Sequence, residues 1–262
     1  MLKPSMLKRF GNFLYSLLMS LWFYVAFFSY VIIYGSFVAW RQKILSKTRG
    51  EKAAREYFIN EVAKFGRRAF SWFGIKVICM GEENVPREKE GYVIIANHLS
   101  TMDIPLILGY VNGGTAFIAK AELSKVPGVS YYTKKLGGLF IKRGDPKQTA
   151  GVLRVMARAI RDGKVFAIFP EGTRSRDGKV GPFRKGSLAI PYRFGVKVLP
   201  VSIYGTGRIM KPRSLLLNPT RVGIHIHPMI DPADFGSEEE LREKVREVIV
   251  KGWERLRKEV ER

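Results

Sequence analysis

A histidine and an aspartate stand five residues apart in the segment ANHLSTMD, residues 96–103. The segment follows the apolar run YVII, which has the composition of a buried strand. In open α/β sheets, loops at the carboxyl ends of strands carry the ligand-binding groups. A carboxylate at Asp103 can accept a hydrogen bond from one imidazole nitrogen of His98, which leaves the other nitrogen as a proton acceptor. The pair suits a general base and its orienting group, although alone it fits equally well a helix cap and a histidine bonded to nearby backbone.

Two later loops that also follow apolar runs are basic. Lys142 and Arg143 follow the run GGLFI, and the loop PEGTRS, residues 170–175, follows the run KVFAIF. Arginine can hold a phosphate through two parallel hydrogen bonds, Thr173 adds a hydroxyl donor, and Gly172 lets the backbone approach an oxyanion closely. These residue types predict a cradle for a phosphomonoester.

The sequence offers little for other kinds of catalysis. Cys79 is the only cysteine and lies in the apolar run KVICM, which excludes an internal disulfide and disfavours a zinc site built on cysteines. No G-x-S-x-G nucleophile motif occurs, and the segment GPFRKGS, residues 181–187, places its lysine before the second glycine, unlike a P-loop. His225 and His227 alternate along a predicted strand without a third ligand at suitable spacing, so they indicate a polar sheet face. We therefore predict no metal site.

The first 73 residues differ in composition from the rest. Residues 10–40 contain no Asp, Glu, Lys or Arg and are rich in aromatic and aliphatic side chains. This stretch exceeds the apolar part of a signal peptide, about 7–15 residues, and is long enough to enter a bilayer. Basic residues flank it on both sides, and residues 51–75 continue with aromatic and basic side chains at helical spacing. We expect membrane-anchoring helices at residues 1–73, embedded from one face, with a single membrane span as the alternative.

Beyond residue 74, apolar runs alternate with amphipathic stretches, which predicts one α/β domain over residues 74–262. We expect a mixed, mostly parallel sheet of about seven strands flanked by helices. The predicted strands are 75–80, 92–96, 115–119, 139–142, 165–169, 196–204 and 222–226. Ser237 and Glu240 have capping-box spacing, which predicts that a long amphipathic helix starts there.

The charge of the chain restricts its partners. Lys and Arg number 45 against 23 Asp and Glu, a formal net charge of +22, which favours nucleic acid, acidic lipid or a phosphorylated substrate. No nucleic-acid-binding motif occurs, and a long uncharged segment would be out of place in such a protein. A phospholipid hydrolase would need a nucleophile or a metal, for which the sequence offers no candidate. Lipid and phosphorylated small molecules are therefore the favoured partners.

Four segments in order along the chain carry a resemblance to a known family. They are NHLSTMD at 97–103, GGLFIKR at 137–143, FPEGTRS at 169–175 and VLPVSIYG at 198–205. These segments resemble the four motif blocks of the glycerolipid acyltransferases, and most closely those of the 1-acyl-sn-glycerol-3-phosphate acyltransferases that make phosphatidic acid. Four blocks in the right order make a chance match improbable.

The resemblance implies direct transfer of a fatty acyl group from an acyl thioester to the sn-2 hydroxyl of lysophosphatidic acid, in phospholipid biosynthesis. The donor would be acyl-CoA or acyl-acyl carrier protein, used as a co-substrate, with no bound cofactor. His98 would remove the hydroxyl proton, Asp103 would orient His98 and stabilise its imidazolium, and no acyl-enzyme would form. The alternative within the family is acylation of glycerol 3-phosphate or of another lysophospholipid.

Matching motif positions assigns the other site residues by resemblance. The acceptor's glycerol phosphate would be bound by Arg143, Glu171, Gly172, Thr173 and Arg174. The acyl chain or donor would be bound near Val198, Leu199 and Pro200. Lys142 stands where many members carry an acidic or neutral residue, so it is either an added phosphate ligand or a neutral variation, and Lys120 and Lys185 are further candidates. Lipid substrates imply a site at the cell membrane, on its cytoplasmic side, beside anionic headgroups.

Overall fold

The chain begins with a helical hairpin. In the computed structural model, which describes residues 4–87, 90–142, 146–209 and 216–262, helix α1 spans Pro4–Ser29. It continues through a π-helical turn, Tyr30–Tyr34, into α2, Gly35–Ser71. Gly50 interrupts α2 with a φ of 83°, a left-handed conformation that glycine adopts without strain. The chain reverses there, which gives the two N-terminal helical arms that the sequence predicts.

Aromatic rings hold the two arms of the hairpin together. Phe73 lies against Phe23, with ring centroids 3.8 Å apart, and Phe65 stacks on Tyr30 at 5.4 Å. The outward surface is apolar, and one helical region, residues 13–71, is long and apolar enough to cross a membrane by length and composition. Side chains of this surface that are more than half exposed are Phe10, Phe13, Tyr15, Leu18, Leu21, Trp22, Val25, Phe28, Ile32, Ile33 and Trp40.

A seven-stranded sheet follows the hairpin. Its strands are β1 Lys76–Met80, β2 Val93–Ala96, β3 Ala116–Lys120, β4 Leu139–Ile141, β5 Phe166–Ile168, β6 Val198–Tyr204 and β7 Arg221–Ile226. They lie in the order β1-β7-β6-β2-β5-β3-β4, and every neighbouring pair is parallel except β6 with β7. The predicted mixed, mostly parallel sheet is confirmed, and each strand overlaps one predicted run.

Helices cover both faces of the sheet. They are α3 Asp103–Tyr110, α4 Pro127–Lys135, α5 Pro146–Arg161, α6 Ala189–Phe194, α7 Thr206–Ile209 and α8 Glu238–Glu261. Side chains of β2 alternate between the two faces, as strand geometry requires. Ile94 packs in one cluster with the hairpin and α3, whereas Val93 and Ile95 pack in another with α5 and α8. Burial on both faces explains why β2 reads as a continuous apolar run.

The hairpin is docked on this core by a close helix crossing. A Cβ atom added to Gly66 of α2 would lie 2.5 Å from the backbone nitrogen of Gly109 in α3. Only glycine allows the two backbones to approach so closely. At the other end of the chain, Ser237 Oγ accepts a hydrogen bond from Glu240 N, which confirms the predicted start of α8.

His227 is buried between the end of β7 and α8. Its Nε2 lies 2.8 Å from Ser202 Oγ, which is also 2.8 Å from the Ile249 carbonyl oxygen. A Cβ atom on Gly252 would lie 2.3 Å from Nε2, so α8 packs directly against the ring. The prediction of a polar sheet face is therefore wrong for His227. No group of three His, Cys, Asp or Glu within the described ranges is placed to hold a metal.

The burial of His227 predicts a loss of stability in acid. Burial, reinforced by the neighbouring His225, lowers the pKa of His227 from 6.5 to about 3. The folded chain therefore keeps the ring neutral, and its contribution is complete above pH 6.5 and lost as the pH falls toward 3. The pKa difference corresponds to a loss on the order of 5 kcal/mol once the pH is below both values. We expect the melting temperature in detergent to fall more steeply between pH 7 and 4.5 for the native chain than for His227→Gln. Parallel curves for the two proteins would contradict this expectation.

Candidate active site

His98 and Asp103 form a pair at the carboxyl end of β2. His98 Nδ1 lies 2.7 Å from Asp103 Oδ2, and the carboxylate is fully buried while the imidazole is 18% exposed. The same oxygen accepts hydrogen bonds from the backbone N–H groups of Leu99 and Ser100, at 2.7 and 2.9 Å. The carboxylate thus binds both the side chain of His98 and the backbone of the loop that carries it. Acceptance from Nδ1–H fixes the tautomer in which Nε2 is a proton acceptor.

An aromatic ring supports the imidazole from one side. Phe169, which directly follows β5, stacks on His98 with centroids 4.0 Å apart and planes inclined by 15°. No hydrogen bond from the described residues reaches Nε2, so this nitrogen is available to a substrate hydroxyl. Phe169 opens the third motif block, but nothing in its local sequence predicts this contact with His98.

The backbone of His98 is bound to the loop after β5. Its N–H donates to Glu171 Oε1 at 3.2 Å, and its carbonyl accepts from Ser175 N–H at 2.8 Å. Glu171 is buried, with only 8% of the residue exposed. Burial raises the pKa of its carboxyl group, and the N–H donors of His98 and Gly181 partly offset this rise. Its side chain therefore joins two loops of the site. The resemblance assigned Glu171 to phosphate binding, whereas this contact indicates that its carboxylate holds the loop of His98 in place.

The other carboxylate oxygen of Asp103 contacts a residue that is distant in sequence. Thr206 Oγ1 donates to Asp103 Oδ1 at 2.5 Å, and both residues are fully buried. Thr206 follows β6 by two positions and begins α7. Thr206 was not among the predicted site residues, although it directly follows the fourth motif block in the sequence.

The candidate phosphate ligands lie on the same edge of the sheet as His98. Lys120 ends β3, Lys142 follows β4, and Thr173 and Arg174 follow β5, and all four are exposed. Because these strands run parallel to β2, their carboxyl ends share one edge. Arg143 lies outside the described residues. A phosphate bound in these loops would lie on the edge that carries the His98–Asp103 pair.

Gly172 and Lys185 lie in the same group of loops. Gly172 has a φ of 70°, and a Cβ atom there would lie 2.5 Å from Arg184 Nε. That arginine donates to the Glu171 carbonyl oxygen at 3.0 Å, and its neighbour Lys185 is exposed. Glycine at 172 therefore permits the turn that places Arg174 at the surface.

Comparison with known proteins identifies the family. A family model described as Acyltransferase matches residues 76–204. The 1-acyl-sn-glycerol-3-phosphate acyltransferase of Borreliella burgdorferi is 33% identical over 187 residues, which cover 70% of this chain and 74% of that protein. The chain belongs to the acyltransferase family. A chloroplastic 1-acyl-sn-glycerol-3-phosphate acyltransferase of Brassica napus is 32% identical over 188 residues, and the match spans 71% of this chain but about half, 53%, of that relative.

A solved structure extends the likeness over nearly the whole chain. The crystal structure of the 1-acyl-sn-glycerophosphate (LPA) acyltransferase from Thermotoga maritima matches with a TM-score of 0.87 and 43% sequence identity. The match covers 94% of this chain and 98% of that one. The fold of this acyltransferase, including its sheet, is therefore shared with a solved member of the family.

The residues assigned by resemblance to the acyl site lie inside the sheet of this acyltransferase. Val198 and Leu199 are fully buried in β6, and Pro200 is buried beside them. Val198 pairs with Val93, at the start of β2, whereas His98 follows the other end of that strand. Packing in the core explains these residues, and their contact with an acyl chain stays a prediction.

Cys79 is placed poorly for covalent catalysis. It lies half-buried in β1, at the far edge of the sheet from the strands that carry the basic loops. Burial, followed by the nearby carboxylate of Glu82, raises the pKa of the thiol to about 12. The thiol is therefore protonated at neutral pH and is a poor nucleophile. This agrees with acyl transfer that proceeds without an acyl-cysteine.

Proposed function

We propose that the protein is a 1-acylglycerol-3-phosphate O-acyltransferase. It transfers a fatty acyl group from acyl-CoA or acyl-acyl carrier protein to the sn-2 hydroxyl of lysophosphatidic acid, and forms phosphatidic acid without a bound cofactor. The observation that carries the proposal is the His98–Asp103 pair, in which Nε2 accepts no hydrogen bond from the described residues, on the same sheet edge as exposed basic loops. Family membership supports the reaction class.

The pair suggests a direct transfer in which His98 moves one proton. Nε2 accepts the proton of the sn-2 hydroxyl while that oxygen attacks the thioester carbonyl carbon. The resulting imidazolium is stabilised by Asp103 across the 2.7 Å contact. When the tetrahedral intermediate collapses, the carbon–sulfur bond breaks and the leaving thiolate takes the proton from Nε2. The products are phosphatidic acid and a free thiol, and His98 returns to its starting state.

We assign the acceptor phosphate to the exposed cations of this edge. Arg174 can bind two phosphate oxygens with its planar guanidinium, and Lys120 at the end of β3 can add a point charge. The described residues provide no carboxylate partner for Arg174, so its donors are available to a ligand. We keep Thr173, Lys142 and Arg143 as further ligands, and assign Glu171 to the support of the His98 loop.

We propose an acyl-chain site on the face of the imidazole that stacks on Phe169. Phe169, which stacks on His98, lies 6.4 Å from Phe117, and Phe117 packs against a cluster with Phe58 and Tyr132. Beyond this cluster, a half-open apolar cavity of about 420 Å³ lies between the hairpin and α4. Apolar side chains thus extend from the imidazole toward a cavity that suits a hydrocarbon chain. This route is better supported by the structure than a site at Val198, Leu199 and Pro200.

The hairpin supports an active site at the surface of a membrane. Its exposed aromatic and aliphatic side chains would enter lipid, and Val126, Val129 and Tyr131 at α4 extend the apolar surface beside it. Lys134 and Lys135 of α4 are exposed and suit anionic headgroups. We propose that residues 1–73 anchor the chain from the cytoplasmic face of the cell membrane, and that residues 74–262 form the catalytic domain.

An acceptor panel tests the proposed function. The purified full chain, in vesicles containing anionic lipid, is given a labelled acyl thioester together with lysophosphatidic acid, glycerol 3-phosphate or lysophosphatidylcholine. We expect labelled phosphatidic acid from the first acceptor and much slower reaction with the others, because the first alone combines a phosphomonoester with a lipid tail. Exclusive use of glycerol 3-phosphate or of lysophosphatidylcholine would contradict the proposal.

A further inference from the structure

We propose that Thr206 is a positioning residue for the general base and acts on His98 through Asp103. The inference rests on the proposed role of His98 and assigns a function to a residue outside the residues matched to the four motif blocks. Thr206 does not touch the reacting atoms. Its hydroxyl holds the carboxylate that holds the imidazole, and it also sets how strongly that carboxylate attracts the imidazolium.

The hydrogen bonds of Asp103 are divided unequally between its two oxygens. Oδ2 accepts from His98 Nδ1, Leu99 N and Ser100 N. Oδ1 accepts from Thr206 Oγ1 at 2.5 Å, and no other described group donates to it. Both residues are fully buried, so water cannot replace the hydroxyl without entering the core. Thr206 therefore fixes the one carboxylate oxygen that the His98 loop leaves free.

The chain builds this contact through an anchored strand and a glycine turn. The side chain of Asn97, next to His98, exchanges two hydrogen bonds with the backbone of Ile203 in β6, at 2.8 and 2.9 Å. β6 is thereby fixed against the catalytic loop. Gly205 then turns the chain with a φ of 85°, and a Cβ atom there would lie 2.7 Å from the Arg221 carbonyl oxygen. Only glycine fits this turn, which places Thr206 directly at Asp103.

Loss of the hydroxyl should affect both geometry and charge. A buried carboxylate oxygen without a donor is unfavourable, and the carboxylate can then rotate away from the plane of the imidazole. Without the hydroxyl, the negative charge of the Asp103 carboxylate is no longer partly neutralised by that hydrogen bond. The carboxylate then attracts the imidazolium proton more strongly. Both effects act on the proton-transfer step and leave the phosphate-binding loops untouched. We therefore expect a change in kcat and in its pH dependence, with little change in KM.

The test compares Thr206→Val, which keeps the shape and removes the hydroxyl, with Thr206→Ser, which keeps the hydroxyl. Thr206→Val should lower kcat for lysophosphatidic acid roughly 10- to 100-fold, keep KM within about twofold, and change the pH dependence of kcat. Thr206→Ser should stay within about threefold of the native chain. The matched control is Thr115→Val, because Thr115 is also fully buried and donates to the Asn112 carbonyl oxygen, away from the site. It should leave kcat and the profile unchanged.

Native kcat and an unshifted profile in Thr206→Val would overturn the inference, and so would equal losses in the valine and serine variants. If the valine variant does not fold, Thr206→Ala replaces it in the same comparison with serine. A native chain that fails to acylate lysophosphatidic acid contradicts the proposed function. An active native chain with an unaffected Thr206→Val contradicts only the role of Thr206.

Discussion

Replacement of His98 by alanine should lower kcat for lysophosphatidic acid by about 10²- to 10⁴-fold, because a positioned general base contributes that much to the rate. The KM of the acceptor should change little, since we assign the phosphate to the loops after β3 and β5 and not to His98. Initial rates with a labelled acyl thioester across a range of acceptor concentrations separate the two constants. The buried Asp103 loses its partner, so the melting temperature is measured in parallel.

His225→Ala is the matched control for the histidine substitution. His225 is a half-buried histidine on β7, which lies outside the set of parallel strands that carry the site. We expect its kcat to remain within about threefold of the native value. Full activity in the His98 variant would contradict the assignment of the base.

Replacement of Arg174 by alanine should lower kcat/KM for lysophosphatidic acid roughly 10- to 100-fold, the usual value of charge-assisted hydrogen bonds to a phosphate. The loss should be specific to the phosphorylated acceptor. A monoacylglycerol lacks the phosphate. The ratio of kcat/KM for lysophosphatidic acid to kcat/KM for a monoacylglycerol should therefore fall by a similar factor. Arg174→Lys should recover part of the loss, since lysine keeps the charge without the planar fork.

Arg176→Ala is the matched control because this arginine lies two residues away in the same loop and is also exposed. Its removal lowers the net charge by the same amount. We expect kcat/KM within about twofold of the native value, since exposed surface charges contribute little individually. Equal effects of the two substitutions would show a general effect of charge and would contradict a specific phosphate contact at Arg174.

The fold was predictable because its main signals are local. The apolar run at β2 marks a strand buried on both faces, and the spacing of Ser237 and Glu240 marks the start of α8. The pair of His98 and Asp103 could also be predicted from the sequence, since one short loop carries both residues. Such features depend on neighbours in sequence, which a pattern can reveal.

Features that depend on distant contacts were missed. Thr206 meets Asp103 across 103 positions of chain, and no local pattern connects them. Glu171 lies in a basic loop that suggests phosphate binding, yet its carboxylate is turned inward to His98 N. His227 was expected on a polar face because alternation along β7 does not reveal the helix packed over it. In each case the direction of one side chain is set by packing between separate elements.

Direct transfer without an acyl-enzyme is tested most directly by the mass of the intact protein during turnover. The full chain is mixed with acyl thioester in the absence of acceptor, quenched in acid within milliseconds to seconds, and weighed. We expect the unmodified mass at every time point, because the proposed reaction uses His98 only to move a proton and the Cys79 thiol is protonated at neutral pH. An acylated protein that forms at the rate of turnover and disappears when lysophosphatidic acid is added would contradict it.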